Sequence, residues 1–319
     1  MPGAPATERL APLGWAALAV VAGLGATLLA GSVSAAPVTT LVGASMTRTG
    51  MDVAGTACVG LALLTILLPG GRAARAVTGR ADRLLVVVAG AWLVLTVLGI
   101  AFRAADAVGR PVAGLSGGEL VAWSTRLAAG RGMVLAACCA VVVLGCAIAR
   151  LRDPDLVAAR IPLVAALLGV LTPAVTGHAG AAPNHQVAVV TAALHVGAAA
   201  LWVGGLSALV ALVARRRDLL TDALPRYSRL ATACLAGVAV TGVLNAQVRL
   251  PGWDALLGSG YGLLVVAKAG ALAGIAALGL VARRRLAAGR TPVLRWAGYE
   301  VALMAVALGL AAALTQTAP

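Results

Sequence analysis

The three histidines of this chain, His178, His185 and His195, all fall in one short stretch. Residues His178–Gly205, preceded by Gly177, read HAGAAPNHQVAVVTAALHVGAAALWVGG. His178 and His185 lie in a polar connection interrupted by Pro183, and His195 lies about two turns into a strongly apolar helix. A polar side chain at that depth in a membrane is costly and usually has a task. Imidazole, thioether and thiolate are the ligand types that suit copper, Cu(I) favouring the softer ones. His178, His185 and His195, supplemented by Met46, Met51 or Cys58, are therefore candidate ligands for copper, as Cu(I) or Cu(II), at one pocket. Met51 and Asp52 are read as opening a span at the outer surface, and Cys58, seven residues after Met51, shares its helix face. Asn245 is expected at a depth similar to His195, with Thr241 one turn further in. Asn245 and Cys58 are read as marking the way through the bundle.

Each group also has a plainer reading. His185, beside Asn184, suits a solvated loop. His178 suits the carboxyl end of a helix, where an imidazolium meets a favourable dipole. His195 suits an interhelical hydrogen bond. Met46 and Met51 suit ordinary apolar packing, as do Trp202 and the five cysteines, which form no C-x-x-C pair and so no evident zinc or disulfide framework. Two further charges fall inside apolar runs. Lys268 is expected about 10–12 Å below the outer surface and Glu300 about 7 Å above the inner one, at 1.5 Å per helical residue. They are read first as a structural or water-linked pair, and second as part of a path for ions or protons.

The elements that must hold these groups are membrane helices. The chain is 61% hydrophobic and 11% charged, with apolar runs of about 20 residues repeated along its length. The runs cover about 12–31, 51–69, 84–102, 130–149, 161–177, 187–213, 230–248, 261–281 and 296–315. They predict an all-α, polytopic transmembrane bundle of about nine spans. The first run is read as a retained helix, because its apolar core is long for a leader. Val33-Ser34-Ala35 resembles a small-residue cleavage site, and cleavage there would leave eight spans. The segment 32–50 is read as a polar connection, and part of 103–129 as a short interfacial helix. Three parts are expected: 1–31 as signal-anchor or first helix, 32–159 as the amino-terminal helices, and 160–315 as the carboxy-terminal transmembrane part.

The net charge of +14 comes mostly from arginines in the connections. They alternate between rich and poor, which places the amino terminus inside and the carboxyl terminus outside. A nucleic-acid role is excluded, since no basic groove with interleaved aromatics exists. No phosphate-binding loop and no Ser/His/Asp constellation is present, so the chain reads as a non-enzyme and not as an ATP-driven pump.

Five blocks, read in order, carry a family resemblance: GHA at 177–179, LHVGAAALWVGGL at 194–206, RYSRLA at 226–231, TGVLNA at 241–246 and YGLLVVAK at 261–268. With RTGMDVA at 48–54, they resemble the copper-resistance D (CopD) family of bacterial inner-membrane proteins. The resemblance is concentrated in residues 160–285. It implies a multi-pass protein of the bacterial cytoplasmic membrane that binds copper at the extracytoplasmic side and assists copper uptake or tolerance. It also implies a partner, a CopC-like extracytoplasmic copper-binding protein that delivers the ion. By resemblance His178 and His195 match family histidines, and Trp202, Asn245 and Lys268 match its other marks, whereas His185 has no counterpart. Two rival functions are a b-type haem electron carrier, with two opposed histidines as axial ligands, and an assembly factor passing copper to an oxidase.

Overall fold

A computed structural model describes residues 11–29, 37–176, 185–249, 255–287 and 293–314. The described residues are helical almost throughout and contain no strand. In chain order the helices are α1 (Ala11–Leu29), α2 (Val38–Leu67), α3 (Arg72–Val108), α4 (Gly117–Arg126), α5 (Ala128–Arg152), α6 (Arg160–Thr176), α7 (His185–Leu212), α8 (Arg217–Arg249), α9 (Ala255–Gly258), α10 (Gly260–Ala287) and α11 (Val293–Leu314), with a 3-10 turn at Val112–Gly114. Eight of them are long and apolar enough to cross a membrane, and α6 is a shorter apolar helix. Together they match the nine runs of the sequence, and the fold is an all-α polytopic bundle. Lipid can solvate apolar side chains but not a bare backbone, and a helix satisfies its backbone internally.

The bundle is built around α2. Its most apolar window is 67% buried by protein, against 17–39% for the other seven long spans. It packs on α1, α3, α6, α7 and α11. The outer helices turn valines and leucines outward instead, among them Val87, Val141, Val190, Leu194 and Val240. Small residues let the backbones close up. Gly60 of α2 meets the backbone of Gly204 in α7, and Gly309 of α11 meets that of Ala19 and Gly23 in α1. Where glycines meet a large side chain, they house it: the buried Trp92 of α3 packs its indole against Gly55 of α2 and Gly169 of α6. Without a hydrophobic drive between helices in lipid, such close packing is the main cohesive force.

Several boundaries differ from the sequence reading. Residues 38–50 are not a polar connection but the first turns of α2. Their hydroxyls are satisfied within the helix: Thr47 donates to the Gly43 carbonyl (2.6 Å) and Thr49 to that of Ser45 (3.0 Å), and both side chains are buried. Hydroxyls that bond back to the preceding turn cost little inside a bundle, and their polarity does not mark a loop. Met51 and Asp52 consequently do not open the span. They lie thirteen residues into it, about 20 Å along the axis. Likewise α3 begins at Arg72 and α8 at Arg217, each well before its apolar run, and α8 carries Pro225 inside it.

The short helix expected within 103–129 is α4. It opens on a capping box, in which the Ser116 hydroxyl accepts from the Glu119 amide (3.2 Å) and the Glu119 carboxylate accepts from the Ser116 amide (2.9 Å). The candidate cleavage site at 33–36 lies outside the described residues.

Candidate functional site

One group of polar residues that meet between helices comes from α7, α8 and α10. Helices α7 and α8 are consecutive and antiparallel, so pairs of positions with a constant sum face one another. Two such rungs form. The Thr191 hydroxyl, which also reaches the Val187 carbonyl of its own helix (2.8 Å), lies 2.9 Å from Asn245 Oδ1, and one turn further along, His195 Nδ1 lies 3.0 Å from Thr241 Oγ1. Thr241 donates its single hydroxyl proton to the Gly237 carbonyl on its own helix. Its oxygen is then left to accept, and Nδ1 of His195 is the donor. That assignment leaves Nε2 as the bare ring nitrogen. Nε2 lies 3.1 Å from Nζ of Lys268, an all-donor group reaching across from α10. The imidazole is thus held at both nitrogens, in one tautomer, with its Cε1 edge lying over Gly242.

This arrangement can present one imidazole lone pair of fixed direction to a cation, provided Lys268 moves off it. Thr241 supplies the outer hydrogen bond that sets ring orientation in metal-binding histidines generally.

The other candidate residues are not gathered there. Gly204, which touches α2, is nine residues from His195 on α7, two and a half turns and so the opposite face. On α2, Gly60 meets α7, and Cys58, two residues earlier, points roughly the other way. Met51 and Cys58, at 2% and 0% exposure, share that averted face near α3 and α6. Helical spacing thus sets Asn245 and Cys58 on different sides of the α7–α2 contact. Met46 is half exposed. Asp52 is bound to Arg48 through an N–H···O contact of 3.0 Å, with Arg103 of α3 acting on the same carboxylate. His185 begins α7 and so stands ten residues, nearly three turns, before His195. His178 lies outside the described residues. Among the described residues no three His, Cys, Asp or Glu side chains gather as a metal cage.

Lys268 and Glu300 are not a direct pair. A Cβ added at Gly279 would lie 3.2 Å from Oε1 of Glu300, and Gly279 is eleven residues, about 16 Å, along α10 from Lys268.

Two features escaped the sequence reading. Thr191 stands one turn before His195 as Asn245 stands one turn after Thr241, a symmetry legible once α7 and α8 are taken as an antiparallel pair. The second is a buried ion pair. Arg150 of α5 donates from Nε to Asp82 Oδ1 of α3 at 3.0 Å and from a terminal nitrogen to Oδ2 at 3.3 Å. A further bond to the Val157 carbonyl (2.7 Å) ties down the α5–α6 connection. Asp82 sits among Arg80 and Arg83, and only its burial sets it apart from an ordinary flanking charge.

Comparison with known families places these helices. The family model described as Copper resistance protein D-like, N-terminal domain, matches residues 39–184, and the one described as Copper resistance protein D matches residues 221–314. The chain belongs to the copper resistance protein D family. The CopD match holds Thr241, Asn245, Lys268 and Glu300; the amino-terminal match holds Met46, Met51, Asp52, Cys58 and His178. His185, Thr191 and His195 fall in the interval between the two. A curated relative, the Copper transport protein CutJ of Bacillus subtilis (strain 168), is 28% identical over 138 residues, which is 40% of this chain and 26% of the relative. The match thus spans about a quarter of the relative's length. No solved structure matches the chain.

Proposed function

We propose that this chain is a copper carrier of the bacterial cytoplasmic membrane, taking copper from the extracytoplasmic side and passing it inward between α7, α8 and α10. The observation that carries this reading is His195, an imidazole held at both nitrogens by Thr241 and Lys268 inside an apolar bundle of the copper resistance protein D family. The name of the relative, a copper transport protein, supports it.

Copper arrives as cargo. A separate CopC-like extracytoplasmic protein delivers it to His178 and His185, and His195 receives it next. Asn245 and Thr191 form the rung above His195 and Thr241 orients the ring. Met51, Met46 and Cys58 are not needed for that step, since His195 faces away from α2. The amino terminus lies inside and the carboxyl terminus outside, following the arginine bias of the connections.

Reconstitution in liposomes tests the reading. Copper entry is expected into vesicles carrying the wild-type chain and to be lost with His195→Ala. Equal entry for both proteins would sink it. Copper accumulation in cells overproducing the protein separates uptake from a role in loading an oxidase.

A further inference from the structure

We propose that Lys268 gates His195: its ammonium occupies the one ring nitrogen that a metal would take, and an arriving cuprous ion must displace it. The inference rests on the copper reading above and specifies how that site is controlled.

The geometry leaves no room for both cations. Nδ1 is engaged by Thr241, so Nε2 is the only nitrogen available to a metal. A metal ion on an imidazole nitrogen lies about 2 Å away. That point falls between Nε2 and the Nζ of Lys268, which is only 3.1 Å off. Ion and ammonium are mutually exclusive on one lone pair.

The gate can also swing. The backbone of α10 packs chiefly on α9 and α11, and its most apolar window is only 17% buried, the lowest value among the long spans. Lys268 reaches the imidazole through its four-carbon stem, and rotation of that stem withdraws the ammonium without moving the helix.

Selectivity follows. Hard cations such as sodium, potassium and magnesium bind imidazole poorly and leave the ammonium in place, whereas copper has the affinity for nitrogen to replace it. Lys268 would thereby set a threshold: the site stays closed to the abundant cations and opens to the scarce one.

The test measures Cu(I) affinity of the full-length purified chain in detergent, under ascorbate and without oxygen, by competition with a chromophoric cuprous chelator. Lys268→Leu is expected to bind Cu(I) about ten- to a hundredfold more tightly than wild type, the worth of one charge-assisted hydrogen bond. Lys268→Gln, neutral and of similar length, carries the same expectation if the leucine variant folds poorly. Lys268→Arg, which keeps the charge, should stay within a few-fold of wild type. The gain should vanish in the double variant with His195→Ala. Unchanged or weaker binding by both neutral variants overturns the gate, as does a gain that survives loss of His195. If His195→Ala alone leaves wild-type Cu(I) binding intact, the copper reading of His195 fails with it.

Discussion

Gly60 of α2 and Gly204 of α7 meet backbone to backbone. A Cβ at Gly204 would fall against the Thr56 carbonyl and lie 2.9 Å from the Gly60 nitrogen; one at Gly60 would run into the Gly204 peptide. Backbone cannot rotate aside as a side chain can, so either substitution pushes the helices apart. Gly204→Val and Gly60→Val should each destabilise by about 1–3 kcal/mol or more, the range for overpacking. Gly90 on α3 has nothing within 4 Å of an added Cβ. Gly90→Ala should be neutral or slightly stabilising, by up to about 1 kcal/mol. Thermal unfolding in detergent distinguishes the two signs.

Asp82 and Arg150 form the second long-range tie. Both are buried, at 2% and 7% exposure, and the guanidinium grips the carboxylate through two nitrogens. Removing one partner leaves a buried charge unpaired, which costs about 3–5 kcal/mol. Asp82→Leu and Arg150→Met should each lower stability strongly, whereas the double variant should recover much of the loss, because apolar replacements of similar size are often tolerated. A double-mutant cycle on unfolding in detergent measures the coupling. Strictly additive losses would mean that the two side chains act separately.

The spans were legible because twenty-residue apolar runs between arginine clusters leave a chain few other options. The ends of α2 and α8 were not, because Thr47, Thr49 and their neighbours look like a loop in sequence and behave as helix in place. The site was legible in part. His195, Thr241, Asn245 and Lys268 stand out as polar groups in apolar runs, and the similar depths expected for His195 and Lys268 agree with their contact. Which helix face each residue occupies depends on the packing of α2 against α7. That packing is set by Gly60 and Gly204, and it is what turns Met51 and Cys58 away from His195.

The capping box of α4 makes a pH prediction. Hydrogen bonds from the Ser116 amide and hydroxyl, and then the charge of Arg110, hold the Glu119 carboxyl below its ordinary range. A depressed folded value stabilises the helix above the ordinary glutamate range, and this support is lost as pH falls through the folded value. Protection of the amides at the start of α4, taken as the exchange rate relative to the intrinsic rate at each pH, should therefore fall on acidification through the folded value. Glu119→Gln should flatten that dependence while retaining one cap bond. Protection at the start of α4 that does not change with acid would count against the box.

Thr241 provides the closing test of the α7–α8 ladder. Its oxygen accepts from His195 Nδ1 only because its own proton is engaged by Gly237. Thr241→Val keeps the shape and removes that acceptor, so the imidazole loses the bond that orients its Nδ1 edge. Copper entry into vesicles should fall about tenfold or more, the usual loss when a ligand's outer hydrogen bond is deleted. Thr241→Ser, which restores the hydroxyl, should recover most of it. Thr191→Val, one rung outward, should act more weakly, since it touches Asn245 and not the ring. Cys58→Ala should leave entry unchanged, because Cys58 lies on the far side of α2. A loss of entry in Cys58→Ala equal to that in Thr241→Val would move the route from α8 and α10 to the heart of the bundle.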